Sequence, residues 1–383
     1  SDARTPTTKR VMRRLRILAD AHIPYLRGVA EQFGEVEYLP GNQFTREAIR
    51  DKDALIVRTV THFGEEILTG SSVQLICSAT IGYDHIDTAW CDSNNIAWRT
   101  APGCNAASVE QYVTSSLLLL AHKHGFNLQA MTIGIVGVGN VGSKVAAACR
   151  KLGMRVLLND PPREEREGKG LFTDLDTIRR EAHFITFHTP LTRTGKHATH
   201  HLAGEPFYEQ LPMKPFIFNA ARGGVTCNKA LTKALQQGVV RGAVIDCWEN
   251  EPSISEELLQ LVDIATPHIA GYSADGKWTA TKMSIENLIQ FFALETTPHY
   301  AAIPAPEQPL IDLSGVPVEA QLAHAVWHTY QPLQETVALK ASPGEFYRFR
   351  SEYPLRREYH AFTVRNAHRA VSETLQQLGF TVA

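Results

Sequence analysis

Three short segments of this chain each carry one side chain suited to proton or anion chemistry. Asn219-Ala220-Ala221-Arg222-Gly223-Gly224 offers a guanidinium, Asp246-Cys247-Trp248-Glu249-Asn250-Glu251-Pro252 a carboxylate at Glu251, and Thr266-Pro267-His268-Ile269-Ala270-Gly271-Tyr272 an imidazole. Such a set fits the oxidation of a 2-hydroxy acid, in which the hydroxyl proton must be removed while hydride leaves C2. A histidine titrating near neutrality suits the proton step in either direction. A carboxylate against its other nitrogen fixes the tautomer and favours the charged ring. A guanidinium holds the substrate carboxylate by paired hydrogen bonds and polarises the developing carbonyl. Read singly, each residue has a plainer use: Arg222 as a turn cap, Glu251 as a solvated loop carboxylate, His268 as a satisfied core histidine. Their order, each just beyond a strand of a dinucleotide-binding unit, favours the chemical reading.

That unit is announced by Gly137-Val138-Gly139-Asn140-Val141-Gly142, a GxGxxG between an expected strand and an expected helix. Gly137 permits the tight turn, Gly139 lets backbone approach a pyrophosphate, and Gly142 allows close helix–strand packing. The free N–H groups at the helix start attract phosphate. Asp160 ends the next expected strand, where it can accept from ribose hydroxyls and repel a 2′-phosphate, so NAD is favoured over NADP. The alternative is a set of turn glycines followed by a helix-capping Asp.

The elements that position these residues form two series. Arg16–Asp20, Ala54–Arg58 and Leu75–Thr80 read as buried parallel strands separated by helical stretches, an α/β open sheet whose polar strand ends suit a site at the carboxyl edge. Ala106 to His124 has apolar residues at helical spacing. A second series follows, with strands at Thr132–Val136, Arg155–Leu158, Phe184–Phe187, Pro215–Phe218 and Arg241–Ile245, and then a helix from Trp278 to Leu294. A Pro-rich linker, Ile303 to Pro309, leads into a tail rich in arginine and aromatics. The tail is short for an independent domain, so it should pack on the body or on another subunit.

The bulk numbers agree. The 383 residues exceed one ordinary core, and 44% hydrophobic with 20% charged residues is the composition of a globular protein. A formal net charge of -2 gives no general case for nucleic acid or an anionic membrane as partner. The six cysteines (Cys77, Cys91, Cys104, Cys149, Cys227, Cys247) form no CxxC pair, so buried thiols are expected rather than disulfides or a metal site. The N-terminal stretch is basic (Lys9, Arg10, Arg13, Arg14, Arg16), but no apolar run of signal-peptide length follows, and a cytoplasmic enzyme is expected. Ser1 to about Val11 reads as an extension outside the fold.

The run from Ile133 to Tyr272, with GIVGVGNVG, HTPLT (His188 to Thr192), NAARGG, DCWENEP and HIAGY, resembles the D-2-hydroxyacid dehydrogenase family. The resemblance implies two doubly wound Rossmann-like domains with the active site in their cleft, and Arg222, Glu251 and His268 as the catalytic set. It places Asp160, Thr189, Ala220, Ala221, Arg222, Asp246 and Gly271 around NAD, with Gly137, Gly139, Asn140, Val141 and Gly142 under the pyrophosphate. VRTVT (Val57 to Thr61), ATIGYDHID (Ala79 to Asp87), APGCNA (Ala101 to Ala106), LNDPPR (Leu158 to Arg163), PGEF (Pro343 to Phe346) and LRREY (Leu355 to Tyr359) are similar to the branch of that family that oxidises 4-phospho-D-erythronate in vitamin B6 biosynthesis. That branch implies substrate contacts at Thr59, Thr80 and Tyr272, and a small C-terminal α+β domain that makes a homodimer. The expected division is residues 15–105 with 275–297 for substrate, 106–274 for NAD and 298–383 for dimerisation.

Two departures stand out: Cys227 replaces the Asp usual in relatives, leaving Asn228 as the expected helix cap, and Asp20-Ala21-His22-Ile23-Pro24 replaces the usual loop after the first strand. With Arg222 committed to the carboxylate, the substrate phosphate needs another cation. Arg58, beside Thr59, is the first candidate, and Arg356 and Arg357 follow. The competing readings are a dehydrogenase for another 2-hydroxy acid, such as 3-phosphoglycerate, and a dinucleotide-sensing regulatory scaffold. The PGEF and LRREY segments weigh against the former.

Overall fold

A computed structural model describes residues 14–383, and the extension expected over Ser1 to Val11 lies outside them. The chain divides into two compact units: the described residues to Cys104 with Lys277–Ile303, and Asn105–Gly276 with Pro304–Ala383.

The first unit is built on a parallel sheet of β1 (Leu15–Asp20), β2 (Gly34–Leu39), β3 (Ala54–Val57), β4 (Leu75–Ser78) and β5 (Ala97–Arg99), in the order β2-β1-β3-β4-β5. The three central strands are those that read as continuous apolar runs, because both of their faces are covered. Ile17, Ala19, Ile56 and Cys77 meet Ile285 and Leu288 of the helix Ala274–Phe292 on one face, and Leu18, Leu55, Val57 and Ile76 pack on the other. The strands not expected, β2 and β5, are the two edges. Glu35 and Glu37 face solvent in β2 and Arg99 does so in β5, so neither carries an apolar run.

In the second unit β6 (Thr132–Val136), β7 (Arg155–Asn159), β8 (Phe184–Phe187), β9 (Phe216–Asn219), β10 (Gly242–Ile245) and β11 (Ile264–Ala265) form a parallel sheet in the order β11-β10-β9-β8-β6-β7. The chain reverses direction across the sheet between β6 and β8, and the glycine loop leaves β6 at that switch point, where such folds bind dinucleotides. Ile133 and Ile135 face Val109, Val113 and Leu117 of the helix Ala106–His124, whose bounds are those expected from its periodicity. Val136, Phe187, Ile217 and Ile245 cover the opposite face.

The tail adds β12 (Leu310–Asp312), β13 (Thr363–Arg365) and β14 (Thr381–Val382), a parallel sheet in that order. Its own small core (Ile311, Val364, Leu375, Phe380) includes Ala148 from the helix Asn140–Lys151. Tyr330 joins the core on one face of the six-stranded sheet, while Leu339 and Phe346 join the core on the other. The tail is therefore part of the second unit. Among the described residues all six cysteines are free, and no helix is long and apolar enough to cross a membrane.

An ionic latch reinforces this docking. Asp275 accepts from Arg357 Nε at 3.1 Å, from the Glu358 N–H at 2.9 Å and from His360 Nε2 at 2.8 Å. Burial pushes its carboxyl up, but those donors and the Arg357 charge outweigh burial and hold it at about 2, below the ordinary 3.8. A depressed carboxylate contributes stability above its unfolded value and loses it as pH falls through the folded one. Asp275→Asn should thus lower the melting temperature at pH 7, and the deficit against wild type should shrink as pH falls from about 4 to about 2. Thermal melts across that range check it.

Candidate active site

The glycine loop has the geometry of a phosphate cradle. Gly137 has φ +92°, and a Cβ there would meet the His188 carbonyl oxygen at 2.6 Å. A Cβ on Gly142 would lie 1.9 Å from the Gly137 carbonyl oxygen, so the helix starts in contact with the loop. A Cβ on Gly139 meets nothing within 4 Å, which leaves open space over the start of the helix Asn140–Lys151. Thr189 Oγ1 is buried without a hydrogen-bond partner among the described residues. Vacant space at the helix N-terminus and an orphaned hydroxyl beside the loop both fit a bound dinucleotide.

Asp160 closes the loop from the next strand. Its Oδ2 accepts the Val138 N–H at 2.9 Å, and its Oδ1 accepts the Arg163 N–H at 3.1 Å as cap of the helix Pro161–Glu167. It is a helix cap, as the plainer reading had it, and also stands at the end of β7 against the loop. Arg163 donates to the Val138 carbonyl at 2.7 Å and pairs with Glu167 at 2.7 Å, so its charge is already committed.

The three chemical segments follow β9, β10 and β11. Asn219 at the end of β9 shapes the first: its Oδ1 accepts the Ala221 N–H at 3.1 Å and its Nδ2 donates to the Arg222 carbonyl at 2.9 Å. Arg222 Nη1 donates to the Ala221 carbonyl at 3.0 Å, and among the described residues it pairs with no carboxylate. A Cβ on Gly223 would sit 2.0 Å from the Trp248 carbonyl oxygen, so this loop lies directly on the segment that carries Glu251.

Asp246, at the end of β10, is buried and organises the third segment. It accepts from Thr266 Oγ1 at 2.7 Å, the Ile269 N–H at 2.8 Å and the Ala270 N–H at 3.1 Å, while its own carbonyl accepts the His268 N–H at 2.9 Å. Burial raises its carboxyl above the ordinary value despite these donors and the nearby His268. His268 is thereby held at φ +58°, a conformation that L side chains seldom adopt and that clusters at functional sites. Its Nδ1 lies 2.7 Å from Glu251 Oε2, and Glu251 Oε1 accepts the Trp248 N–H at 3.0 Å. Burial pushes the Glu251 carboxyl up, but His268, the Trp248 N–H and the Arg350 charge outweigh it and leave it below the ordinary value. An ionised carboxylate only accepts, so Nδ1 carries the proton and Nε2 is the basic nitrogen.

The tail supplies contacts that sequence reasoning missed. Arg350 Nε donates to the His268 carbonyl at 3.3 Å and Nη2 to Tyr272 OH at 2.6 Å. Arg356, expected as a weaker phosphate candidate, is instead buried and structural. Its guanidinium donates to the carbonyls of Ser108 at 2.8 Å, Ile269 at 3.0 Å and Ala270 at 3.0 Å, and to Gln111 Oε1 at 3.0 Å. Arg357 is committed to Asp275. Neither is available to a phosphate. A second correction concerns Asn228: it does not cap its helix, because Glu249 Oε1 accepts the Asn228 N–H at 2.8 Å while Asn228 Oδ1 accepts the Glu249 N–H at 2.9 Å.

Gly271 packs on Asn105, whose side chain occupies the space a Cβ would need. Ala220 and Ala221 are half-buried in the loop after β9. In the first unit, Arg58 and Thr59 follow β3 and Thr80 follows β4. Arg58 Nε lies 3.0 Å from Asp20 Oδ2, which offsets its charge, Thr59 is exposed, and Thr80 Oγ1 donates to the Gly82 carbonyl at 2.8 Å.

Residues 106–270 match the family described as D-isomer specific 2-hydroxyacid dehydrogenase, NAD binding domain, and residues 302–379 match a domain of unknown function, DUF3410. The chain is 48% identical to the erythronate-4-phosphate dehydrogenase of Bacteroides thetaiotaomicron over 91% of its own length and 99% of that protein's. It is 43% identical to that of Porphyromonas gingivalis, over 96% of this chain and all of that one. Among solved structures, D-lactate dehydrogenase from Aquifex aeolicus, complexed with NAD and lactic acid, shares the fold. Its TM-score is 0.59 at 23% identity, covering 73% of this chain and 95% of that one.

With Arg163 neutralised by Glu167, the Asp160 charge should decide between the two dinucleotides. Asp160→Ser keeps a side chain able to cap the helix and removes the charge. The NAD-over-NADP ratio of kcat/KM should then narrow by at least about tenfold. An unchanged ratio would leave Asp160 as a cap alone.

Proposed function

Because this chain belongs to the erythronate-4-phosphate dehydrogenase family, we infer that it oxidises 4-phospho-D-erythronate to the 2-oxo acid with NAD, and that Arg222, Glu251 and His268 carry the reaction. The observation that carries this reading is the His268–Glu251 pair, with its 2.7 Å contact and its histidine fixed in a left-handed conformation.

NAD, when bound, supplies the acceptor for the hydride that leaves C2. Gly137 to Gly142 would hold its pyrophosphate, with Asp160, Thr189, Ala220, Ala221, Asp246 and Gly271 around the rest. Arg222 binds the substrate carboxylate through its guanidinium, which is free of any carboxylate partner among the described residues. Nε2 of His268 takes the C2 hydroxyl proton as general base. Glu251 keeps Nδ1–H pointed away from the substrate and stabilises the imidazolium that forms, since it stays ionised. Arg58, Thr59, Thr80 and Tyr272 are the substrate contacts.

NADH absorbance with 4-phospho-D-erythronate, 3-phosphoglycerate and plain D-erythronate tests this reading, and the first should give the highest kcat/KM. His268→Ala should lower kcat about a hundredfold or more, as expected for loss of a general base, with NAD affinity retained. Near-normal turnover by that variant would remove His268 from the role.

The tail also holds two subunits together in this reading. Leu333 and Val337, four residues apart on the helix Leu333–Ala341, are exposed with Tyr347 and Leu355, an apolar display suited to an interface. Deleting the tail would uncover the core of the second unit, so substitution is the cleaner test. Sedimentation velocity should give a dimer for the intact chain and a monomer for Val337→Asp/Tyr347→Glu. A monomeric intact chain would overturn it.

A further inference from the structure

We propose that Arg350, delivered by the tail, binds the phosphate of the substrate; this rests on the function proposed above and extends it to the far end of the molecule. A 4-phosphorylated 2-hydroxy acid presents a carboxylate on one side of the reacting carbon and a phosphate two carbons beyond it on the other. Two separate cations are therefore required, and one guanidinium cannot serve both ends.

The arginines of the tail near this site differ in what their charge already meets. Arg348 pairs with Glu345 and Glu352, and Arg357 with Asp275. Arg350 is half-buried, yet both groups it touches are uncharged: the His268 carbonyl and the Tyr272 hydroxyl. Among the described residues it pairs with no carboxylate, and its Nη1 makes no hydrogen bond. Glu251 lies within reach of its charge but makes no ion pair with it. A partly desolvated cation with no carboxylate bonded to it favours an anionic ligand, and a guanidinium with one edge fixed presents the other to phosphate oxygens.

Its position agrees with that use. The Arg350 side chain bonds the backbone of His268, the residue proposed to take the C2 proton, and its guanidinium carbon lies 5.3 Å from the centre of the Tyr272 ring. The two bonds fix the Arg350 side chain before any ligand arrives, which lowers the ordering cost of binding.

The test compares kcat/KM for 4-phospho-D-erythronate and plain D-erythronate in wild type, Arg350→Gln, Arg350→Lys and Tyr272→Phe. Hydrogen bonds to a charged group are worth about tenfold to a hundredfold in affinity. Arg350→Gln should lose that much more on the phosphorylated acid than on the plain one, the excess lying chiefly in KM, while any loss common to both acids reports its bond to the His268 carbonyl. Arg350→Lys should recover part of the loss, and should it alone fold, it should still raise KM for the phosphorylated acid alone. Tyr272→Phe, which removes one of the two bonds that hold Arg350 but not its charge, should narrow the preference for the phosphorylated acid less than Arg350→Gln does. Equal losses on both acids in Arg350→Gln, or the same loss of preference in Tyr272→Phe, would overturn the assignment and leave Arg350 as a prop for Tyr272. Absence of any preference in wild type would instead defeat the proposed substrate. Arg350 is then read by inorganic phosphate as inhibitor of whichever hydroxy acid is oxidised. Inhibition that Arg350→Gln relieves supports the anion site, and inhibition that is absent or unrelieved overturns it.

Discussion

Asp246 is a carboxylate with almost no access to water, a costly thing to place at the end of a central strand. The second unit tolerates it because three donors from one loop converge on it, and that convergence shapes the loop. Tyr112 OH lies 2.6 Å from Thr266 Oγ1, which donates to Asp246, so the network runs from the domain's longest apolar helix to the site. Removing the carboxylate would strand the Ile269 and Ala270 N–H groups, at a cost of about 1–3 kcal/mol each. Against a total stability of about 5–15 kcal/mol for a folded protein, that is enough to let His268 leave its left-handed conformation.

The amide side of this loop is satisfied by Asp246 and the carbonyl side by the tail. Arg356 takes the carbonyls of Ile269 and Ala270, and Arg350 takes that of His268. Buried backbone groups must find partners somewhere, and here a segment more than eighty residues away provides them. The tail is thus part of the candidate site's framework, and changes in its packing are felt at His268 through main-chain bonds.

What the sequence disclosed follows the same division between local and distant contacts. The central strands β1, β3, β4, β6, β8, β9 and β10 were legible because both faces are buried, whereas β2, β5 and β11 are edges whose polar or very short runs carry no such signal. Arg222, Glu251 and His268 could be singled out as candidates because each stands a few residues after a strand, inside a segment that folds on itself. Arg350 could not, since nothing in Phe346-Tyr347-Arg348-Phe349-Arg350 separates it from its exposed neighbour Arg348. The same blindness made Arg356 a candidate for ligand binding, although its buried guanidinium is taken up by the carbonyls of Ser108, Ile269 and Ala270 and by Gln111. Asn228 misled for a related reason: a capping residue type was in place, but a carboxylate twenty-one residues away reached the helix N-terminus first.

The Glu251–His268 pair shows why burial alone does not settle such a site. Burial by itself would push the Glu251 carboxyl up toward neutrality, and a protonated Glu251 could donate to Nδ1, turning the imidazole over and presenting Nε2–H to the substrate. A donor at that position suits reduction of the 2-oxo acid but cannot accept a hydroxyl proton. His268 itself tips the balance toward the carboxylate, helped by the Trp248 N–H, fixed by the β10 turn, and by the Arg350 charge. Since Trp248 is anchored through its indole N–H to the Thr266 carbonyl at 2.9 Å, the N–H that helps His268 keep Glu251 ionised belongs to the same frame that sets His268. Ionisation and orientation are therefore one structural property of this loop pair, and a change that loosens the frame acts on both together.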